Sequence, residues 1–150
     1  MYYNIYNILE RKIENLEMTI MSCLLQKPEL MENPQLTDDL FQNQQKLWQF
    51  MKAVYKKFGC FDLALMYNNV RNKYNYVGMI TELMDIEPVP SNIEYYIDEL
   101  IRMKNEDKME RYRVNAIFSL AHDLIQGNIT SKEFKEKVDK MFQEKKNGSE

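Results

Sequence analysis

Chemistry, if this chain performs any, has few side chains to work with. His122 is the only histidine, so paired-histidine metal sites are absent and a Ser or Cys triad would depend on this one residue. It stands beside Asp123 in a helical pattern with no nucleophile motif near it, which reads as a solvated helix position. Asp38-Asp39 and Glu106-Asp107 are adjacent carboxylates that a metal or an acid/base couple could use. The first pair also fits a helix start and the second a solvated helix face. Cys23 and Cys60 are the only cysteines; two thiols without further ligands make no structural zinc site, and each lies in an apolar setting suited to a small buried hydrophobe. The glycines at 59, 78, 127 and 148 are too scattered to cradle a phosphate, and neither G-x-x-x-x-G-K-S/T nor G-x-G-x-x-G occurs. The expectation is a non-enzyme, with no catalytic residue, no cofactor and no metal.

Binding has better candidates. Lys56-Lys57, Arg71, Lys73, Tyr74 and Tyr76 combine charge with aromatic faces, which is how single-stranded DNA is gripped. The plainer reading is a loop after a helix with tyrosines packing on the fold. Charge favours the plainer one: the net is −3, and residues 92–150 hold 11 basic against 12 acidic side chains, so neither half has the excess that phosphate neutralisation asks for. A second candidate is the apolar stripe of Ile117, Leu120 and Leu124 with Phe134, Val138, Met141 and Phe142. It is either the packing between two helices or a surface for another chain.

The elements that must position these residues read as helices. With 45% hydrophobic residues, including 11 Met, 10 Tyr and 7 Phe, and only 4 Gly and 4 Pro, there is little material for a many-turned β fold. Ile5, Leu9, Ile13, Leu16, Ile20, Cys23 and Leu24 recur at helical spacing, predicting a helix from Leu16 that can reach further back and that Pro28 ends. Thr37 with Asp38 and Asp39 has the character of a helix start holding Leu40 and Phe41. Leu47, Phe50, Met51, Val54, Tyr55 and Phe58 form one stripe, stopped by Gly59. Asp62 looks like the cap of a helix bearing Leu65, Met66 and Val70. Gly78 interrupts before Met79, Ile80, Leu83, Met84 and Ile86.

Pro88-Val89-Pro90 is the clearest boundary. Ser91 with Glu94 matches a capping box for a long helix. Its stripe runs through Ile93, Ile97, Leu100 and Ile101, fades across residues 104–108 and resumes with Tyr112, Ala116, Ile117, Leu120, Ala121 and Leu124; the gap predicts a kink or an exit into solvent. Gly127-Asn128 stops that helix, and Thr130 with Glu133 makes a capping box for the last one. So short a loop requires an antiparallel hairpin. The predicted fold is all-α: a compact multi-helix head over 1–90, a long antiparallel helical hairpin arm over 91–146 and a polar tail over 147–150, one structural unit overall.

Taken in order, several of these pieces resemble the N-terminal domain of DnaB-type replicative DNA helicases, over residues 15 to 145. The matching stretches are Asn15-Leu16-Glu17, Leu24-Leu25 before Pro28-Glu29, Phe41, Leu47-Trp48-Gln49-Phe50, the turn from Gly59 to Asp62, and Val89-Pro90-Ser91-Asn92 with Tyr95-Tyr96. Arg111 stands where the family keeps an arginine on the first hairpin helix. Lys46 replaces a usual His, Met18-Thr19 a usual Ala-Glu and Ser22 a usual Gly, and the segment between Val70 and Met79 is short. A divergent, phage-borne member would look like this.

The resemblance implies a non-catalytic collar domain whose hairpins pair between subunits and which docks primase or a helicase loader during DNA replication. The alternative is a free-standing phage replication protein that binds the host helicase, loader or primase. A single-stranded DNA-binding module comes third. On the first two readings the partners are a second copy of the chain and a replication protein. A cytoplasmic location is expected, since no apolar run of about 18 residues or more occurs.

Overall fold

In a computed structural model the described residues are 2–68 and 76–148, with 2–7 and 144–148 described by backbone alone. They form α1 (Tyr2–Gln26), α2 (Gln45–Phe58), α3 (Leu63–Asn68), α4 (Tyr76–Asp85), α5 (Ile93–Ile125) and α6 (Ser131–Gly148), with 3-10 segments at Pro28–Glu32, Asp38–Gln44 and Pro90–Asn92. No strand occurs among them, and the fold is all-α. Contacts divide the chain into two compact units, Met1–Lys104 and Asn105–Glu150.

The head is built around α1. Along its C-terminal half Glu17, Met18 and all of Ile20 to Leu24 are buried; a helix buried on every side must lie inside the core rather than on its surface. The Pro28–Glu32 and Asp38–Gln44 segments, α4 and the Pro90–Asn92 turn all pack on it. Leu40, Phe41, Leu47, Trp48, Met51, Leu83, Ile93, Ile97 and Leu100 complete the main cluster, and Val54, Met66 and Ile80 form a smaller one. Phe41 and Trp48 stack at 4.1 Å. Phe50, part of the predicted stripe, is half-buried and stacks on Tyr76 at 4.8 Å.

Local signals account for several joints. Gly59 sits at φ 70 and its amide donates to the Tyr55 carbonyl, closing α2. Asp62 Oδ1 accepts from the amides of Ala64 and Leu65, capping α3. No atom lies within 4 Å of a Cβ added at Gly59, so Gly59→Ala should lose about 1–2 kcal/mol through backbone strain alone. In urea denaturation Gly59→Asn should lose clearly less, because asparagine tolerates the left-handed region; equal losses would point to a packing cause instead.

Four expectations are corrected. Gly78 does not interrupt: α4 runs through it, because burial of Ile80 and Leu83 at 0% exposure outweighs a glycine penalty of about 1 kcal/mol. The Ser91–Glu94 box is not made. Pro90, with its fixed φ, starts the turn early, the Asn92 amide donates to the Val89 carbonyl at 2.8 Å, and Ser91 lies inside a 3-10 turn rather than at a cap. Cys60 is exposed beside Gly59 in the turn between α2 and α3, while Cys23 is buried. Lastly, the division falls at Lys104/Asn105 rather than at 90/91, and there are two units rather than one. Ile93, Ile97 and Leu100 are core residues, so the first turns of α5 belong to the head, and the polar stretch from Lys104 to Lys108 is where apolar burial stops. No break in α5 accompanies that stretch.

In the second unit the helices are joined as expected. Gly127, at φ 76, donates to the Leu124 carbonyl and Asn128 to that of Asp123, the two bonds of a Schellman stop. The Thr130 amide donates to Glu133 Oε1 at 3.2 Å and the Glu133 amide to Thr130 Oγ1 at 3.1 Å, a reciprocal capping box. Asn147 and Gly148, assigned to the tail from sequence, continue α6. Glu150 lies outside the described residues.

Candidate functional site

The residues considered for catalysis are not assembled into a site. His122 is exposed on α5. Asp38 Oδ1 accepts from Trp48 Nε1 and Lys52 Nζ, both at 2.8 Å, and these donors hold its carboxyl below the ordinary carboxylate range. Asp107 is less solvated than the sequence suggests: one carboxylate oxygen accepts from Arg111 Nε at 2.9 Å, while the other is buried without a hydrogen bond. Among the described residues no group of three or more His, Cys, Asp or Glu is placed to hold a metal. None of the described helices is long and apolar enough to cross a membrane.

Nor does the basic-aromatic cluster form a stacking platform as far as it is described. The ring of Tyr76 is committed to Phe50, Lys57 lies over the Phe58 ring at 5.1 Å, and Lys56 is exposed. Arg71, Lys73 and Tyr74, like Val70, lie outside the described residues.

The motif residues of the head serve its construction. Asn15 is exposed, and its carbonyl accepts from Thr19 Oγ1. Leu16 is half-buried and Phe41 fully buried. Ser22 donates to the Leu83 carbonyl at 2.9 Å near the end of α4, so this buried hydroxyl has an acceptor. The Val89 amide donates to the hydroxyl of half-buried Tyr96 at 3.2 Å, a bond that clasps the entry to α5. Ser91 and Asn92 are exposed on that turn.

Glu17 is different. Its side chain has no exposure, its Oε1 accepts from the amides of Asn43 and Gln44, both at 3.2 Å, and its Oε2 has no hydrogen bond. Lys104 Nζ is 3.8 Å from Oε2, and instead donates to the carbonyls of Asp39 and Leu40. Burial lifts the carboxyl from an ordinary 4.5 to about 7, against the pull of Lys104 and the two amides. Burial likewise lowers Lys104, against the pull of Glu17. From the sequence Glu17 was a motif position only; nothing local marks it as buried, because its partners are 26, 27 and 87 residues away.

The hairpin differs from the head in leaving its apolar side chains half-covered or exposed. Every fully buried apolar residue described lies in the head, ending with Leu100. Of the predicted stripe, Ile117, Leu120, Leu124, Phe134, Val138 and Met141 are only half-buried, and Phe142 is 53% exposed. Sequence reasoning missed Phe118 at 62% and Ile125 at 80% exposure; their seven-residue spacing was the available signal.

The two edges of the hairpin differ. Leu120 and Met141 open with Lys137 and Lys140 onto a shallow cleft of about 230 Å³. On α5, Phe118 and Ile125 share a line that lies roughly 160° around the helix from Leu120. On α6, Lys137 and Phe142 flank Met141 on opposite sides. One edge of the seam is therefore rimmed by lysines, and the other carries Phe118, Ile125 and Phe142. None of the family models, curated proteins or solved structures compared with the chain matches it.

Proposed function

We propose that this chain is a non-catalytic interaction domain that associates with itself through the hairpin and docks a replication partner, as the collar of a replicative DNA helicase does. The observation that carries the reading is a second unit, Asn105–Glu150, in which no described apolar residue is fully buried and large apolar side chains are turned outward. Two helices cannot enclose their own seam, and apolar surface of this kind marks a place for another chain. The ordered stretches from Asn15-Leu16-Glu17 to Val89-Pro90-Ser91-Asn92 point to the helicase collar in particular, and a head followed by a hairpin accords with it. A primase C-terminal domain or a helicase loader is the proposed second partner, in the cytoplasm.

The edge bearing Phe118, Ile125 and Phe142 is the proposed self-association face. Phe118→Asp with Phe142→Asp should weaken association at least about tenfold in sedimentation equilibrium, moving the mass toward the 18.1 kDa monomer. Head stability should change by no more than about 0.5 kcal/mol, as both side chains are exposed. A wild-type chain that stays monomeric at high concentration and binds no cognate primase C-terminal domain would sink the proposal. A free-standing protein acting on a host helicase or loader would instead recover that partner from host extract, with binding unaffected by the pair of substitutions.

A further inference from the structure

The head contains a carboxylate that its surroundings only half accommodate. Two amides from the Asp38–Gln44 segment meet Oε1 of Glu17, but among the described residues no group hydrogen-bonds to Oε2, and Lys104 stands 3.8 Å away with two of its three N–H groups directed at carbonyls. The other charges around the pair are acidic: Glu14, one turn earlier on α1, acts on Glu17, and Asp39 acts on Lys104. A buried anion lacking a full set of partners costs far more than the neutral acid in the same place.

We infer that Glu17 is a proton-operated latch: as the neutral acid it stays seated and joins α1, the Asp38–Gln44 segment and α5, and as the anion it favours a local opening that lets the carboxylate reach water. Opening frees the Asn43 and Gln44 amides just ahead of α2 and removes the carboxylate from Lys104, the last residue of the head unit. The direction follows from linkage, since the state in which the group holds its proton more tightly gains as pH falls. With the carboxyl near 7 when seated and near 4.5 when exposed, the closed form dominates in mild acid and opening becomes easier as pH rises past neutrality. The inference concerns the head alone and stands whether or not the hairpins pair.

Hydrogen exchange read by NMR on the intact chain tests it, because the Asn43 and Gln44 amides report the latch directly. After correction for intrinsic rates, their protection should fall about thirtyfold from pH 5.5 to 8.5, the ratio set by those two titration points. It should also remain below that of Met51 and Val54 in the adjoining helix, as local opening requires. In Glu17→Gln, which keeps an acceptor but cannot ionise, the pH dependence should vanish. A flat wild-type profile, an equal slope in the glutamine variant, or protection equal to that of Met51 would overturn the latch. Should the variant fail to fold, a carbon-13 titration of the wild-type Glu17 carboxyl decides: a midpoint above 6 supports the inference, and one at or below 6 overturns it.

Discussion

Phe41→Ala should lower the stability of the head by about 3–5 kcal/mol, a large share of the roughly 5–15 kcal/mol that holds a typical domain folded. Phe41 has no exposed surface and stacks on Trp48, which is itself 2% exposed. The cost of such a truncation depends on whether the neighbours can move into the space. Here they are constrained: Trp48 is tethered through Nε1 to Asp38, and Asp38 also holds Lys52. Phe41 adopts a non-helical φ/ψ within the Asp38–Gln44 segment, so the backbone carrying it has little regular structure to slide along. The upper part of the range is therefore expected. Urea unfolding followed by the fluorescence of Trp48, the only tryptophan, measures it at the affected spot. Phe118→Ala, on the exposed hairpin edge, should change stability by no more than about 0.5 kcal/mol. A loss under about 1 kcal/mol for Phe41→Ala would mean that this part of the core relaxes freely.

What could be read from the chain alone divides by distance along it. The stripe of α2 and its glycine stop, the Asp62 cap, the Gly127-Asn128 stop and the Thr130–Glu133 box were legible because each is settled within a few residues. Gly78 and Ser91 misled for the complementary reason. Their local signals were genuine, but burial of Ile80 and Leu83 overrode the first and a proline one position earlier pre-empted the second. The extent of the head was hidden because Ile93, Ile97 and Leu100 face a core assembled from α1 and residues 40 to 51, while the proline-rich run before them reads as a break. On the hairpin, the spacing from Ile117 to Met141 picks out side chains that are half-buried while Phe142 is exposed, yet which edge stays apolar depends on how two helices are turned toward each other. That relation is carried by the Leu120–Met141 cleft, not by either helix's own periodicity.

Glu17→Gln should stabilise the head at pH 8 by about 3 kcal/mol while changing it by no more than about 1 kcal/mol at pH 5. The sign follows from the folded-state value lying above the unfolded one: Glu17 rises from 4.5 to about 7 on folding. Below 4.5 the group is neutral in both states and contributes nothing; between 4.5 and 7 the unfolded chain releases its proton first, so stability falls; above 7 both states are ionised and the loss is complete. This is opposite to a salt-bridged carboxylate, whose contribution is lost in acid. Lys104 does not reverse the sign: it stands 3.8 Å from Oε2 with two of its three N–H groups given to the Asp39 and Leu40 carbonyls, and its pull is smaller than the effect of burial on Glu17. Glutamine retains an oxygen for the Asn43 and Gln44 amides and removes the ionisation, so the difference between the two unfolding curves against pH reports this carboxyl with the Lys104 and Glu14 coupled to it and cancels the groups that Glu17 does not affect. A difference that stays flat from pH 5 to pH 8 would show that water or a shifted lysine reaches the anion in the folded head. A difference that grows with pH identifies an acidic residue retained at a measurable cost in stability, as a latch requires.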